Sequence, residues 1–330
     1  MRLRPPQLTR PEDFVFRRRR PPPQNGVMTM PKLLALIRAG YGQGHLHDYK
    51  PWLRVTKKDF SSESNIGHHQ SREFGHTHHF RSIAERSMII LLKFLGAWDV
   101  RDQYPAWPWP HAHPLTGLPD SHDLPKVRGL TDIAAEANIR HGVYAGSKPA
   151  IPYVATIDML STWWCEKTHR FHLIAHDCKP ERKVLQAKIG SQMKARLELI
   201  RRYCVETGIH YALTHPEKIP ALLVTNLHAL HPRGLSADQQ QQLRQSPSYL
   251  RTVDHCMRWA YQQPATTTAS QVAARDGHDI QSVLGIVRLA IWFQDLDHDL
   301  SKSFELYEPL IPGGQALKCQ MGKIFCAWTS

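Results

Sequence analysis

A chain of 330 residues, 42% of them hydrophobic and 22% charged, has the composition of a soluble globular protein and the length for two domains. Its longest apolar runs, such as residues 88–92, are too short to span a bilayer, and its basic N-terminus lacks an apolar secretory core. We therefore expect a cytoplasmic protein with no membrane partner. The net charge of +13 favours nucleic acid as a partner, although a merely soluble basic protein has the same balance.

The first predicted element is a basic arm at residues 1–27. Four consecutive arginines at residues 17–20 precede three consecutive prolines at residues 21–23. This segment has too few apolar residues to build a core, so we expect a flexible arm suited to contact with phosphates.

Histidines are concentrated in the next polar segment, at His68, His69, His76, His78 and His79. Clustered imidazoles are typical zinc ligands, whereas alternating residues in a polar, glycine-containing segment are typical of a solvated loop. We favour the solvated loop and assign no metal to this segment. The six cysteines include no pair at the two-residue spacing of zinc knuckles, so we expect them to be reduced and structural.

A periodic apolar stretch that begins near Phe80 predicts a helix. Glu85 is followed by apolar residues at the positions three, four and seven later, which are the positions that share its helical face. That face is the one we expect to be buried, so a functional role is indicated for the carboxylate. The three apolar residues are Met88, Ile89 and Leu92.

Segments rich in β-branched and aromatic residues predict strands further along the chain. A short strand is expected at residues 100–104, before a proline-rich irregular segment at residues 105–119. Residues 153–163 and 171–178 are separated by a polar turn, and this arrangement predicts an antiparallel hairpin.

An amphipathic helix is predicted at residues 183–207, ended by Gly208, which accepts the left-handed conformation that terminates helices. A further strand is expected at residues 209–214. Proline, glycine, serine and glutamine at residues 231–247 predict a linker between two domains, which would occupy residues 28–230 and 248–330.

The second predicted domain begins with three helices. The last two flank a turn at Gly277 with helix-turn-helix spacing, and residues 291–304 are expected to supply a wing, which together predict a small winged-helix domain. The predicted helices are residues 248–261, 268–276 and 280–289.

Carboxylates and a lysine converge on the predicted hairpin. Asp158 lies late in its first strand, and Asp177 and Lys179 lie at the end of its second. Because Asp177 and Lys179 are two positions apart, they point to the same face of an extended strand. Hydrolysis of a phosphodiester needs an activated water and relief of the charge that builds on phosphate, and Mg²⁺ held by carboxylates supplies both. Surface acids near lysines also produce this pattern by chance.

The pattern resembles that of the restriction-endonuclease-like, PD-(D/E)xK nucleases, and the neighbouring segments resemble those of the TnsA endonucleases of heteromeric transposons. The resemblance covers about residues 52–300 and keeps the order and spacing of the segments. It implies an α/β catalytic domain with a mixed sheet, followed by a small winged-helix domain. The similar segments are residues 55–62 (VTKKDFSS), 80–86 (FRSIAER), 99–105 (DVRDQYP), 130–141 (LTDIAAEANIRH), 154–159 (VATIDM), 177–180 (DCKP), 199–209 (LIRRYCVETGI), 211–214 and 225–227 (TNL).

The resemblance assigns roles to the converging residues. It implies that Glu85 and Asp158 bind metal, that Lys179 is the catalytic lysine, and that residue 177 lies at the metal. The family often has a neutral Gln where this chain has Asp177, and the additional negative charge favours metal binding.

The resemblance also implies an activity and partners. The activity is Mg²⁺-dependent cleavage of the 5′ strand at transposon ends in double-stranded DNA, with Mn²⁺ as a substitute metal. The partners are a TnsB-type transposase and, through the C-terminal domain, a TnsC-type ATP-dependent regulator. Two alternatives remain open: a stand-alone restriction or repair nuclease of the same fold, and a non-catalytic adaptor that joins transposase to regulator.

Overall fold

The computed structural model describes residues 26–56, 59, 65–119, 121 and 123–326. Almost all of the predicted basic arm, and residues 57–58 and 60–62 of the segment 55–62, lie outside these described residues. Among the helices of the described part, none is long and apolar enough to cross a membrane.

The chain divides into two compact units. The first unit contains the described residues up to Ser71 together with Gly75–Arg86 and Ala97–His215, and the second contains Arg72–Phe74, Ser87–Gly96 and the described residues from Pro216 onward. The division between the units therefore falls near residue 215, earlier than the linker that the sequence indicates at residues 231–247.

The first unit combines strands and helices into a mixed α/β structure. Its elements are α1 (Met30–Arg38), β1 (Gly67–Ser71), β2 (His76–Phe80), the start of α2 (Ile83–Leu95), β3 (Asp99–Ala106), α3 (Leu130–Glu136), β4 (Ala155–Cys165), β5 (Arg170–Cys178), α4 (Glu181–Gln186), α5 (Gln192–Glu206) and β6 (His210–Thr214).

Four of these strands form one sheet in the order β3-β4-β5-β6. β4 pairs antiparallel with both β3 and β5, whereas β6 pairs parallel with β5, so the sheet is mixed, as predicted. The predicted hairpin at residues 153–163 and 171–178 is confirmed as β4 and β5.

The core of the first unit lies between this sheet and helices α3 and α5. Apolar side chains of the strands, such as Ile157 and Leu173, pack in one cluster with Ile133 of α3 and Ile200 of α5. Removal of this apolar surface from water fixes the sheet against the two helices, and the strand ends that carry the polar residues are thereby held in place.

The histidine-rich segment is an antiparallel hairpin and not a solvated loop, so that prediction was wrong. β1 and β2 pair in register from Gly67 opposite Phe80 to Ser71 opposite His76, and His78 is fully buried. The alternation of residues 76, 78 and 80 is the period of a strand with one buried face, and the polar character of imidazole concealed this period in the sequence.

The long helix predicted at residues 183–207 is two helices, α4 and α5. Ala187 has extended backbone, Gly190 has a φ of +79°, and the Ser191 side chain accepts a hydrogen bond from the Lys194 N–H at the start of α5. The chain stops after α4 and begins a newly capped helix. The end of α5 is as predicted, since Gly208 follows it with a φ of +66°.

The second unit is built from helices. They are the remainder of α2, then α6 (Ala221–Leu230), α7 (Ala237–Arg244), α8 (Pro247–Trp259), α9 (Ala265–Asp276), α10 (Ile280–Phe293) and α11 (Gly314–Cys326).

The predicted C-terminal helices correspond to α8, α9 and α10, and Gly277 ends α9 with a φ of +67°. Residues 291–304 are all described and contain no strand, so the structure does not confirm the expected wing. Ile291 and Trp292 are buried within α10, and the apolar residues that indicated a wing strand instead complete this helix.

The glutamine-rich segment at residues 231–247 contains helix α7, where the sequence indicates a linker. Ser236 accepts a hydrogen bond from the Gln239 N–H, and the Gln239 side chain accepts one from the Ser236 N–H. This reciprocal capping box explains why a polar segment forms a helix.

Candidate active site

The sheet brings the predicted site residues of β4 and β5 side by side. Met159 pairs with His176, so Asp158 lies opposite Asp177 in the same antiparallel register. Lys179 follows the last residue of β5, and its N–H donates to the carbonyl of Thr214 on β6. The parallel pairing of β6 thus fixes the backbone that carries the lysine.

Asp158 and Lys179 form an ion pair. Lys179 Nζ donates to Asp158 Oδ2 at 2.6 Å, and the N–H of Cys178 donates to the same oxygen at 2.9 Å. Burial by itself lowers the pKa of Lys179, but the carboxylates of Asp158 and Asp177 outweigh burial and hold the pKa above its usual value. Lys179 is therefore a cation at neutral pH, able to face negative charge on a phosphate.

Glu85 lies in the first turn of α2, where only 8% of the residue is exposed, as its sequence pattern predicts. Its carboxylate accepts hydrogen bonds from the Arg81 N–H at 2.8 Å and from the Ser82 hydroxyl at 3.2 Å. Burial, with a further contribution from the charge of Asp158, raises the pKa of Glu85 to about 7. Glu85 thus shares the electrostatic environment of the hairpin carboxylates.

Asp177 is almost fully buried beside Tyr211 of β6. The Tyr211 hydroxyl donates to Asp177 Oδ2 at 3.0 Å, whereas Oδ1 is buried and has no hydrogen-bond partner among the described residues. Burial first, and then the charge of Asp158, raises the pKa of Asp177 to about 6. A buried carboxylate oxygen without a partner is costly unless a cation or a further donor satisfies it.

The donor set of these residues is of the kind that binds a divalent cation. Lys179 pairs with Asp158, and Lys179 and Arg196 both act on Asp177, yet burial and the charge of Asp158 keep the pKa values of Glu85 and Asp177 raised. Mg²⁺ prefers carboxylate oxygens, and its charge offsets this repulsion. Glu85, Asp158 and Asp177 are the residues that would hold the ion.

Gln103 of β3 is a site residue that the sequence interpretation missed. Its Nε2 donates to Glu85 Oε2 at 3.3 Å, and its Oε1 accepts from the Thr156 hydroxyl at 3.2 Å. Asp102 pairs with Met159 and Tyr104 with Ile157, so Gln103 lies opposite Asp158. Four of residues 99–103 are polar, so the polar character of Gln103 did not single it out in the sequence.

Gln103, Asp158 and Asp177 therefore form one row across β3, β4 and β5. Gln103 has a φ of +50°, a left-handed backbone conformation that non-glycine residues rarely adopt and that commonly occurs at functional sites. The contacts of its amide with Glu85 and Thr156 hold it in this conformation, so Gln103 is a positioning residue for Glu85.

No known family model matches the chain. Over 196 residues, the chain is 26% identical to the Escherichia coli protein named Transposon Tn7 transposition protein TnsA. The alignment covers 59% of this chain and 60% of the relative. A mixed α/β protein with a buried carboxylate and lysine cluster is thus similar, over part of its length, to a transposition protein.

The left-handed backbone at Gln103 predicts an unusual order of stability for its variants. Gln103→Gly and Gln103→Ala both remove the amide, but only glycine adopts a φ of +50° without strain. We expect both to unfold more easily than wild type, and Gln103→Ala to be less stable than Gln103→Gly by about 1 kcal/mol. Urea denaturation measures the difference. An alanine variant as stable as the glycine variant would contradict backbone strain at this position.

The raised pKa values predict that the metal-free protein loses stability as pH rises. Folded Glu85 and Asp177 hold protons that the unfolded chain has released, so the free energy of unfolding falls between about pH 4 and about pH 7. For Glu85 the loss is on the order of 1–3 kcal/mol.

Denaturation in the presence of a chelator at several pH values tests this dependence. Glu85→Gln is expected to flatten the curve relative to wild type, whereas Glu166→Gln, in the exposed turn between β4 and β5, leaves it unchanged. Identical pH dependence in wild type and Glu85→Gln would show that Glu85 does not titrate in this range.

Proposed function

We propose that this chain is a metal-dependent DNA endonuclease of the TnsA type, which cleaves the 5′ strand at transposon ends in the cytoplasm. The observation that carries the proposal is the convergence of Asp158, Asp177 and Lys179 with Glu85 near one end of the two central strands of a mixed sheet. The similarity to a transposition protein supports the choice of DNA ends as the substrate.

The proposed fold of the first unit is that of the restriction-endonuclease-like, PD-(D/E)xK nucleases. Three features support this fold. They are a helix that carries one acidic residue, an antiparallel hairpin that carries two further acidic residues, and a lysine just beyond the second strand of that hairpin. The parallel strand β6 then completes a mixed sheet.

The chain's own residues have distinct parts in the proposed reaction. Glu85, Asp158 and Asp177 would hold Mg²⁺, or Mn²⁺ in its place, and the bound ion supplies charge neutralisation and water activation. Lys179, held protonated by Asp158, faces the negative charge that develops on the scissile phosphate. Gln103 and Ser82 orient the carboxylate of Glu85 through the contacts that they donate.

The proposed partners are double-stranded DNA, a TnsB-type transposase that processes the 3′ ends, and a TnsC-type ATP-dependent regulator bound by the second unit. The net charge of +13 supports DNA as a partner because basic surfaces displace counterions from phosphates. The similarity to a transposition protein supports the two protein partners.

Strand-resolved cleavage tests the proposal. Wild type, Asp158→Ala and Lys179→Ala are each incubated with a plasmid that carries the native transposon ends, the partner transposase, the regulator and Mg²⁺. We expect both variants to lose 5′-strand cleavage on the order of a hundredfold or more, since each removes charge stabilisation at the reacting phosphate. Cleavage of the 3′ strands is expected to persist.

The turn between β4 and β5 supplies matched controls, Glu166→Ala and Lys167→Ala, which remove an exposed acid and an exposed lysine from the same hairpin. Both controls are expected to cleave like wild type. Cleavage by Asp158→Ala and Lys179→Ala at the wild-type rate would contradict the nuclease proposal and favour the adaptor. Cleavage by the purified chain without partners would favour the stand-alone nuclease.

A further inference from the structure

A second buried polar cluster joins the β1–β2 hairpin to β3. His76 and His78 lie two positions apart on β2, and Asp102 lies on β3. Their side chains are 4%, 0% and 2% exposed, respectively. One candidate ligand atom from each residue lies within 4.8 Å of the others, so the three side chains converge on one point.

Both imidazoles approach the same carboxylate oxygen. His78 Nδ1 lies 2.9 Å from Asp102 Oδ1, and His76 Nε2 lies 3.8 Å from it. A tetrahedral zinc ion with bonds near 2.0–2.1 Å holds its ligand atoms about 3.3 Å apart. The two observed separations lie on either side of that value, so small side-chain shifts would bring each imidazole to the distance from this oxygen that a shared ion requires.

Hydrogen bonds outside the cluster orient two of the candidate ligands. His76 Nδ1 donates to the carbonyl of Leu46 at 2.9 Å, and in the neutral imidazole this contact places the lone pair on Nε2, on the side of Asp102. The N–H of His79 donates to Asp102 Oδ2 at 2.7 Å and leaves Oδ1 to face the imidazoles. Such outer contacts are typical of histidine and carboxylate ligands of zinc.

The charges around the cluster favour a cation at this position. The neighbouring Arg101 pairs with Asp99, from which its Nε lies 3.8 Å. Among the described residues, no lysine or arginine forms an ion pair with Asp102. A neutral imidazole carries no charge, so the buried Asp102 carboxylate requires compensation from a proton on a histidine or from a metal ion. The set of two imidazoles and one carboxylate is a donor set that zinc accepts.

We propose that His76, His78 and Asp102 bind one Zn²⁺ ion, with the fourth coordination position left to a water molecule. This site is separate from the carboxylates of the candidate active site and does not depend on the proposed nuclease function. The ion ties the β1–β2 hairpin to β3. The next residue of β3 is Gln103, which contacts Glu85, so the zinc site lies one residue from the positioning contact of the active site.

Zinc content of the full chain tests the proposal. The protein is produced without a polyhistidine tag in zinc-supplemented medium, dialysed against zinc-free buffer with Mg²⁺, and analysed by elemental mass spectrometry. We expect about one zinc ion per chain in wild type and in Asp158→Ala. His76→Gln and His78→Gln are expected to lose at least about tenfold in zinc content.

The matched control is His68→Gln, which removes an exposed histidine of β1 in the same hairpin and is expected to retain zinc. Co²⁺ added to chelator-treated wild type is expected to give the intense visible absorption of a four-coordinate ion, and addition of Zn²⁺ is expected to abolish it.

The proposal is overturned if wild-type protein contains less than about a tenth of a zinc ion per chain and does not show that Co²⁺ absorption. A protonated histidine would then be the counter-ion of Asp102. This result is decisive even where a ligand variant fails to fold, because it uses the wild-type chain alone. Equal zinc loss in His68→Gln and in His78→Gln would also overturn it.

Discussion

Electrostatic repulsion among three buried carboxylates is the constraint on which the candidate active site depends. Burial first, and then the charge of Asp158, raises the pKa of both Glu85 and Asp177, and Lys179 is the one lysine that pairs with Asp158 in the described chain. Lys179, together with Arg196, whose charge acts on Asp177, does not offset burial and the repulsion among three carboxylates, because the pKa values of Glu85 and Asp177 stay raised. The site is therefore stable either with protons on the acids or with a cation bound between them, and the second state is the one that cleaves phosphodiesters in our proposal.

The sheet makes this repulsion unavoidable because its register places polar residues in a row. Gln103, Asp158 and Asp177 stand at successive positions across β3, β4 and β5, and a shift of one residue in either pairing would turn these side chains to the other face. The apolar core beneath the sheet opposes such a shift. The packing of the core thus holds together charged residues that would separate in solution.

Much of the fold and of the site follows from the sequence, because both depend on local patterns. The spacing of Asp158, Asp177 and Lys179 predicts a hairpin with converging side chains, and the structure places them together. The buried histidine hairpin was missed because imidazole is polar whether it is solvated or buried. Gln103 was missed because a left-handed residue inside a strand has no local signature. The expected wing is not confirmed, because the apolar residues just beyond Leu289 extend helix α10 instead of forming a strand.

Whether the three carboxylates form one cation site is tested by calorimetric titration of the full chain with Mn²⁺ at pH about 8, above the raised pKa values of Glu85 and Asp177. We expect a measurable heat of Mn²⁺ binding in wild type and in Glu166→Gln, and no such heat in Asp158→Asn. Equal Mn²⁺ binding by wild type and Asp158→Asn would contradict this expectation.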